Sequence, residues 1–114
     1  MEELFNLYSE TTDEGDKVFK IYENVTVTGN NFPARGDYMI DGMGHTITMG
    51  SSPVTVGAMR DVYLTDGTNI IYIDNDGVVF TVDSKTYEKI TQMGQLKEGK
   101  SSRIDLKTGE VSPA

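Results

Sequence analysis

Ile70-Ile71-Tyr72-Ile73-Asp74-Asn75-Asp76-Gly77-Val78-Val79-Phe80-Thr81-Val82 decides the fold class. Two runs of β-branched and aromatic residues flank four polar turn formers, and Gly77 tolerates the positive φ that a tight loop needs. The stretch reads as a β-hairpin with strands over 70–73 and 78–82. The same punctuation recurs at Asp41-Gly42, Asp66-Gly67 and Thr108-Gly109. Between these turns lie short alternating runs: Ile47 and Met49 with Thr46 and Thr48, Val54 and Val56 around Thr55, Val62 and Leu64 around Tyr63. The longest alternation, Phe19 to Thr28, has apolar odd positions apart from Glu23 and predicts the best strand in the chain.

Composition agrees with the pattern. Ten Val, eight Ile and thirteen Thr stand against five Leu, and side chains stiff at the first torsion favour a pleated surface over a helix. Residues 2–8 and Ser84 to Met93 are the two stretches with some helical character, and neither carries a convincing cap. Strands with turns every 8 to 12 residues, roughly, predict an all-β fold, an antiparallel β-sandwich with little helix. The 114 residues suit one domain, 1–114, with residues 1–16 and 108–114 as loose ends. No repeat of 20 to 50 residues or so emerges, and no low-complexity linker.

Charge and residue usage exclude several function classes. A net charge of −8 repels phosphate backbones and anionic lipid, so nucleic acid is not an expected partner. The charge is uneven, −10 over residues 1–83 and +2 over residues 84–114, which suits a C-terminal strand beside an acidic body or head-to-tail self-association. No run approaches the roughly 18 apolar residues of a membrane span, and the opening Met1-Glu2-Glu3-Leu4-Phe5 is not that of a signal peptide. With no Cys and a single His, disulfide frameworks, thiolate nucleophiles and histidine-based metal sites are out of reach.

The remaining sites read as follows. His45, in Asp41-Gly42-Met43-Gly44-His45-Thr46, has no Ser, Cys or Lys constellation around it and reads as a turn residue. Asp74-Asn75-Asp76-Gly77 resembles part of a calcium loop, but Tyr72 stands where an oxygen ligand is required. Asp13, Glu14 and Asp16 read as a solvated loop, so neither a metal nor a cofactor is expected and no catalytic set is assigned. Arg35-Gly36-Asp37, in a loop after Pro33, is a candidate for surface recognition, although a plain turn is the favoured account, and Asn24-Val25-Thr26 is formally a glycosylation acceptor but lies inside a strand, a coincidence of sequence. Tyr22, on the polar side of its strand, and Tyr63 and Tyr72, beside apolar runs, could form a sugar-stacking face; cross-strand aromatic packing is the plainer account. The candidate surface residues are therefore Tyr22, Tyr63, Tyr72, Arg35 and Asp37.

Two resemblances add to this reading. Thr28-Gly29-Asn30-Asn31-Phe32-Pro33-Ala34-Arg35, with Tyr38-Met39-Ile40-Asp41-Gly42-Met43-Gly44-His45-Thr46-Ile47-Thr48, resembles the C-terminal region of distal tail proteins of long-tailed phages. Ile71-Tyr72-Ile73-Asp74 and Gly94-Gln95-Leu96-Lys97-Glu98-Gly99-Lys100 follow in the same order, although Met93-Gly94-Gln95 replaces that family's Phe-Pro. This resemblance implies a galectin-like sandwich: a non-enzymatic module of the virion tail or baseplate, contacting other particle proteins and supporting attachment to host glycan. Over a shorter stretch, Asp16 to Thr48, with Val25-Thr26-Val27 and Ile40-Asp41-Gly42-Met43-Gly44-His45-Thr46-Ile47-Thr48, is similar to the first rungs of right-handed parallel β-helix proteins. That implies a carbohydrate-binding surface or adhesin fragment, although the hairpin punctuation downstream departs from coils of about 20 to 25 residues.

Overall fold

The computed structural model describes residues 9–11, 17–27, 31–32, 38–97 and 100–113. Over these residues the chain is all-β, without helix. The strands are β1 (Ser9–Thr11), β2 (Lys17–Lys20), β3 (Val25–Thr26), β4 (Asn31–Phe32), β5 (Tyr38–Asp41), β6 (Thr46–Thr48) and β7 (Val54–Val56). They continue as β8 (Met59–Arg60), β9 (Val62–Thr65), β10 (Ile70–Ile73), β11 (Val78–Val82), β12 (Lys89–Gln95), β13 (Ser102–Ile104) and β14 (Val111–Pro113). Three sheets result, ordered β1-β2-β5-β8, β12-β11-β10-β9-β6-β3 and β14-β13-β7-β4. The three sheets share one apolar core in a sandwich-like all-β fold.

The predicted hairpin is present: β10 pairs antiparallel with β11, with Tyr72 opposite Phe80 and Ile73 opposite Val79. Antiparallel pairing holds from β9 to β12 and from β7 through β13 to β14. It is joined by parallel pairing earlier in the chain. β2, β3 and β4 fall one in each sheet, β5, β6 and β7 visit the same sheets in the same order, and β8 and β9 begin a third circuit. Register partners Val25, Ile47 and Leu64 are thus 22 and 17 residues apart in sequence, and Phe32 and Val56 are 24 apart. The chain coils first and then folds back and forth.

Coils are tied to one another by backbone bonds and by side chains at their corners. The Ile21 amide donates to Asp41 O at 3.0 Å and the Gly42 amide to Arg60 O at 2.9 Å. Asn24 Oδ1 accepts from the Thr46 amide at 2.9 Å, so a corner of one coil satisfies a strand end of the next. The buried Asp41 carboxylate accepts from the Met43 amide at 2.9 Å and from Arg60 Nε at 3.0 Å. Gly42 lies so close to the following coil that a Cβ would meet Val62 and sit 2.6 Å from the Asp61 carbonyl oxygen.

One core serves both halves. Ile47, Leu64 and Ile71 are register neighbours across three strands, as are Val62, Ile73 and Val79, and all six are fully buried. Burying each such side chain contributes about 1.5–3 kcal/mol.

The structure corrects three local expectations. The alternation from Phe19 to Thr28 is not one strand but β2 and β3 with a corner between them, where Tyr22, Glu23 and Asn24 are exposed and Ile21 still points into the core. An alternation of side chains survives a change of sheet, so it could not mark the corner. Ser84 to Met93 is a turn running into β12, because the Asp83 carboxylate accepts from the amides of Lys85 and Thr86 and offers the backbone a turn instead of a helix. Val111–Pro113, near the C-terminus, forms β14. The short helical candidate at residues 2–8 lies outside the described residues.

Candidate ligand-binding face

Strand alternation sends Ile71 and Ile73 into the core and leaves Tyr72 on the outer face of the six-stranded sheet. The same applies to Tyr63 between Val62 and Leu64. Register then sets Tyr63 opposite Tyr72, and Tyr72 opposite Phe80. The Tyr63 and Tyr72 rings lie 4.6 Å apart at 38°, and Tyr87 adds a third ring 5.1 Å from Tyr63 at 46°. At the other end, Lys89 Nζ stands 4.7 Å over the Phe80 ring and 5.5 Å over Tyr72, within cation–π range. A continuous aromatic strip therefore crosses the face, ending in a cation.

The strip is held in place by polar contacts. Tyr72 Oη donates to Asp61 Oδ1 at 2.9 Å. Burial, and then the neighbouring Asp61 carboxylate, push the Tyr72 phenol well above its ordinary range, so it remains a neutral donor. Beside Tyr87 and Tyr63 the face dips into a groove of about 340 Å³, lined by Thr46, Thr48, Thr65, Ile70, Ser84 and Tyr87 among others. Thr48 and Thr65 are register partners on parallel strands, so their side chains sit one strand spacing apart, about 4.8 Å. The Thr65 hydroxyl is engaged, donating to Asn69 O at 2.6 Å and accepting from the Gly67 amide at 3.0 Å.

Of the residues expected from sequence, Tyr63 and Tyr72 come together. Tyr22 is exposed on the corner between β2 and β3, and Arg35 and Asp37 lie outside the described residues. Tyr87 and Lys89 were missed because helical character over Ser84 to Met93 hid a turn that carries Tyr87 back over β9. His45 keeps its place in the turn: its amide donates to Gly42 O at 2.8 Å and its carbonyl accepts from Tyr63 at 3.0 Å. The Asp74 carboxylate is occupied by the amides of Asp76 and Val78, both at 2.9 Å. Among the described residues no three His, Asp or Glu side chains converge as a metal cage, and no helix is long and apolar enough to cross a membrane. The cluster Asp13, Glu14 and Asp16 lies outside the described residues. Compared with known protein families, curated proteins and solved structures, the chain matches none.

Proposed function

We propose that this chain is a non-enzymatic interaction module of a phage tail or similar particle, and that it supports attachment to host-surface glycan through the outer face of the six-stranded sheet. The observation that carries the glycan part is the strip Tyr87–Tyr63–Tyr72, with Lys89 at its end. Aromatic rings on an open sheet face give a sugar ring an apolar surface to stack on, and surrounding hydroxyls can meet its polar edge. The tail assignment rests on the family-like segments and their order along the chain. Neighbouring particle proteins, or further copies of this chain, are the partners it implies.

A second reading, a carbohydrate-binding β-helix-like fragment of a cell surface or adhesin, is favoured by the parallel pairing of β2 to β9. Both readings use the same face and differ in where the domain is mounted. A glycan array with the wild-type chain and a Tyr63→Ala, Tyr72→Ala double variant tests the face: the wild type is expected to bind and the variant to be blank. Wild-type protein blank on every glycan would sink the attachment role and leave assembly alone. Antibody labelling of purified particles against cell envelopes separates the two mountings.

A further inference from the structure

The chain builds one turn twice. Asp83-Ser84-Lys85-Thr86-Tyr87-Glu88 and Asp105-Leu106-Lys107-Thr108-Gly109-Glu110 share Asp-x-Lys-Thr-x-Glu, 22 residues apart. The backbone repeats with the letters. The Asp83 amide donates to Glu88 O and the Asp105 amide to Glu110 O, both at 2.9 Å. The Tyr87 amide returns to Asp83 O at 2.8 Å and the Gly109 amide to Asp105 O at 2.6 Å. The carboxylates accept from the amides of Lys85 at 2.7 Å and Lys107 at 2.9 Å, and the Thr86 and Thr108 hydroxyls accept from the following Glu amides at 3.4 and 3.2 Å.

The fifth position is left-handed in both copies, with φ 62° at Tyr87 and 85° at Gly109. Glycine is the residue that conformation favours, and a tyrosine there is strained. Gly109 faces inward, where a Cβ would come within 2.5 Å of Thr81 Cγ2. Tyr87 faces outward, 47% exposed, with its ring on Tyr63 and on the rim of the groove. An aromatic side chain is thus held at a strained position where the sister turn uses glycine, and strain of this kind gathers at ligand clamps.

The groove itself points to a ligand class. Its volume of about 340 Å³ sits at the small end of ligand pockets. Among the described residues no charged side chain lines it; the lining is hydroxyls, backbone, Ile70 and the Tyr87 ring. Among the described residues, the hydroxyls of Thr46 and Thr48 make no hydrogen bond. A carboxylated or sulfated sugar would find no counter-charge there, on a chain of net charge −8. Resting on the glycan reading above, we infer that Tyr87 is the specificity-determining lip of a site for a neutral pyranose, which stacks on its ring and meets the hydroxyls of Thr46, Thr48 and Ser84.

The test is an amide NMR titration with methyl glucoside, methyl galactoside, N-acetylglucosamine oligomers and, as an acidic counterpart, sialyllactose. In the wild type, the amides of Thr46, Thr48, Thr65 and Ser84 are expected to move with a neutral sugar and not with sialyllactose. Tyr87→Gly restores the sister turn's residue and Tyr87→Asn keeps one that tolerates the same φ, so both are expected to fold; both should bind about tenfold more weakly. Unchanged affinity in both variants, shifts confined to another face, or a response to sialyllactose alone would each overturn the inference while leaving glycan binding standing. A wild type that answers no sugar overturns the glycan reading, and this inference with it.

Discussion

The coiled half, β2 to β9, and the hairpin half, β9 to β14, share a core and meet at β9, yet they are held by different kinds of contact. In the coils, strands seventeen to twenty-four residues apart are locked by tertiary contacts between one circuit and the next: Gly42 pressed on Val62, Asp41 on Arg60, Asn24 on the Thr46 amide. In the hairpins the lock is local. Asp66, Asp74, Asp83 and Asp105 each turn a carboxylate onto amides two to four residues ahead, and Gly67, Gly77 and Gly109 take the positive φ. One β core can thus be closed either by coil-to-coil contact or by self-contained turns. The two halves should therefore fail in different ways.

The largest expected effect is in the coils. Gly42→Ala places a methyl against Val62 and the Asp61 carbonyl oxygen, and neither can retreat without moving β9. We expect a loss of about 3 kcal/mol or more, at the upper end of overpacking, read as a lowered midpoint in urea. A loss under about 1 kcal/mol would mean that the circuits are not closely stacked at this corner.

Next is Gly109→Ala, in the hairpin half. The left-handed φ alone opposes a Cβ by about 1–2 kcal/mol, and contact with Thr81 Cγ2 and Met93 Cγ adds to it. About 2–3 kcal/mol is expected by the same measurement. Its twin, Tyr87→Gly, gains relief of the same φ and loses a ring contact of about 0.5–1.5 kcal/mol, so its stability should stay nearly level. If Tyr87→Gly costs as much as Gly109→Ala, the two turns are not equivalent.

Smaller again is Asp41→Ala, which unpairs Arg60 and the Met43 amide. Hydrogen bonds to a charged group are worth about 1.5–3 kcal/mol, but Arg60 is 36% exposed and water can replace part of the loss. A destabilisation of about 1.5 kcal/mol is expected. The double variant with Arg60→Ala should cost less than the sum of the two single changes. Strict additivity would show that the pair contributes nothing to stacking of the coils.

How much of this was legible in the sequence follows the same division. The hairpin Ile70 to Val82 could be read because strand, turn and strand are contiguous and each signal is local. The parallel coils could not be derived from periodicity: Phe19 to Thr28 alternates straight through a corner, and nothing local says that Val25 will lie beside Ile47. Only the similarity of Asp16 to Thr48 to β-helix rungs pointed toward it. The aromatic face was half legible, since alternation placed Tyr63 and Tyr72 outside. Tyr87 was not, because a tyrosine at positive φ leaves no compositional mark. The one signal that could have found it was the recurrence of Asp-x-Lys-Thr-x-Glu, in which Gly109 shows what the backbone at Tyr87 is doing.

The finest separation of the two halves should come from acid. Asp66 Oδ1 accepts from the Asn69 amide at 2.7 Å and the Thr68 amide at 2.9 Å, and these bonds hold its carboxyl below the ordinary 3.8. The amides of Thr86 and, above all, Lys85 do the same for Asp83. A carboxyl whose pKa is depressed on folding contributes stability that is present above its unfolded value and is lost as pH falls through the folded one. Acid therefore works on the turns of the hairpin half, and amide protection at 67–69 and 84–88 should fall as pH drops below about 4 and on through the depressed carboxyl values, while protection at 46–48, bonded to a neutral Asn24 and to backbone, falls less. Asp66→Asn keeps an oxygen acceptor but cannot titrate, so its acid limb should be flatter than the wild type's. Equal loss of protection in both halves, with an unchanged slope in Asp66→Asn, would show that the shared core unfolds as one unit and that the turns have no stability of their own to lose.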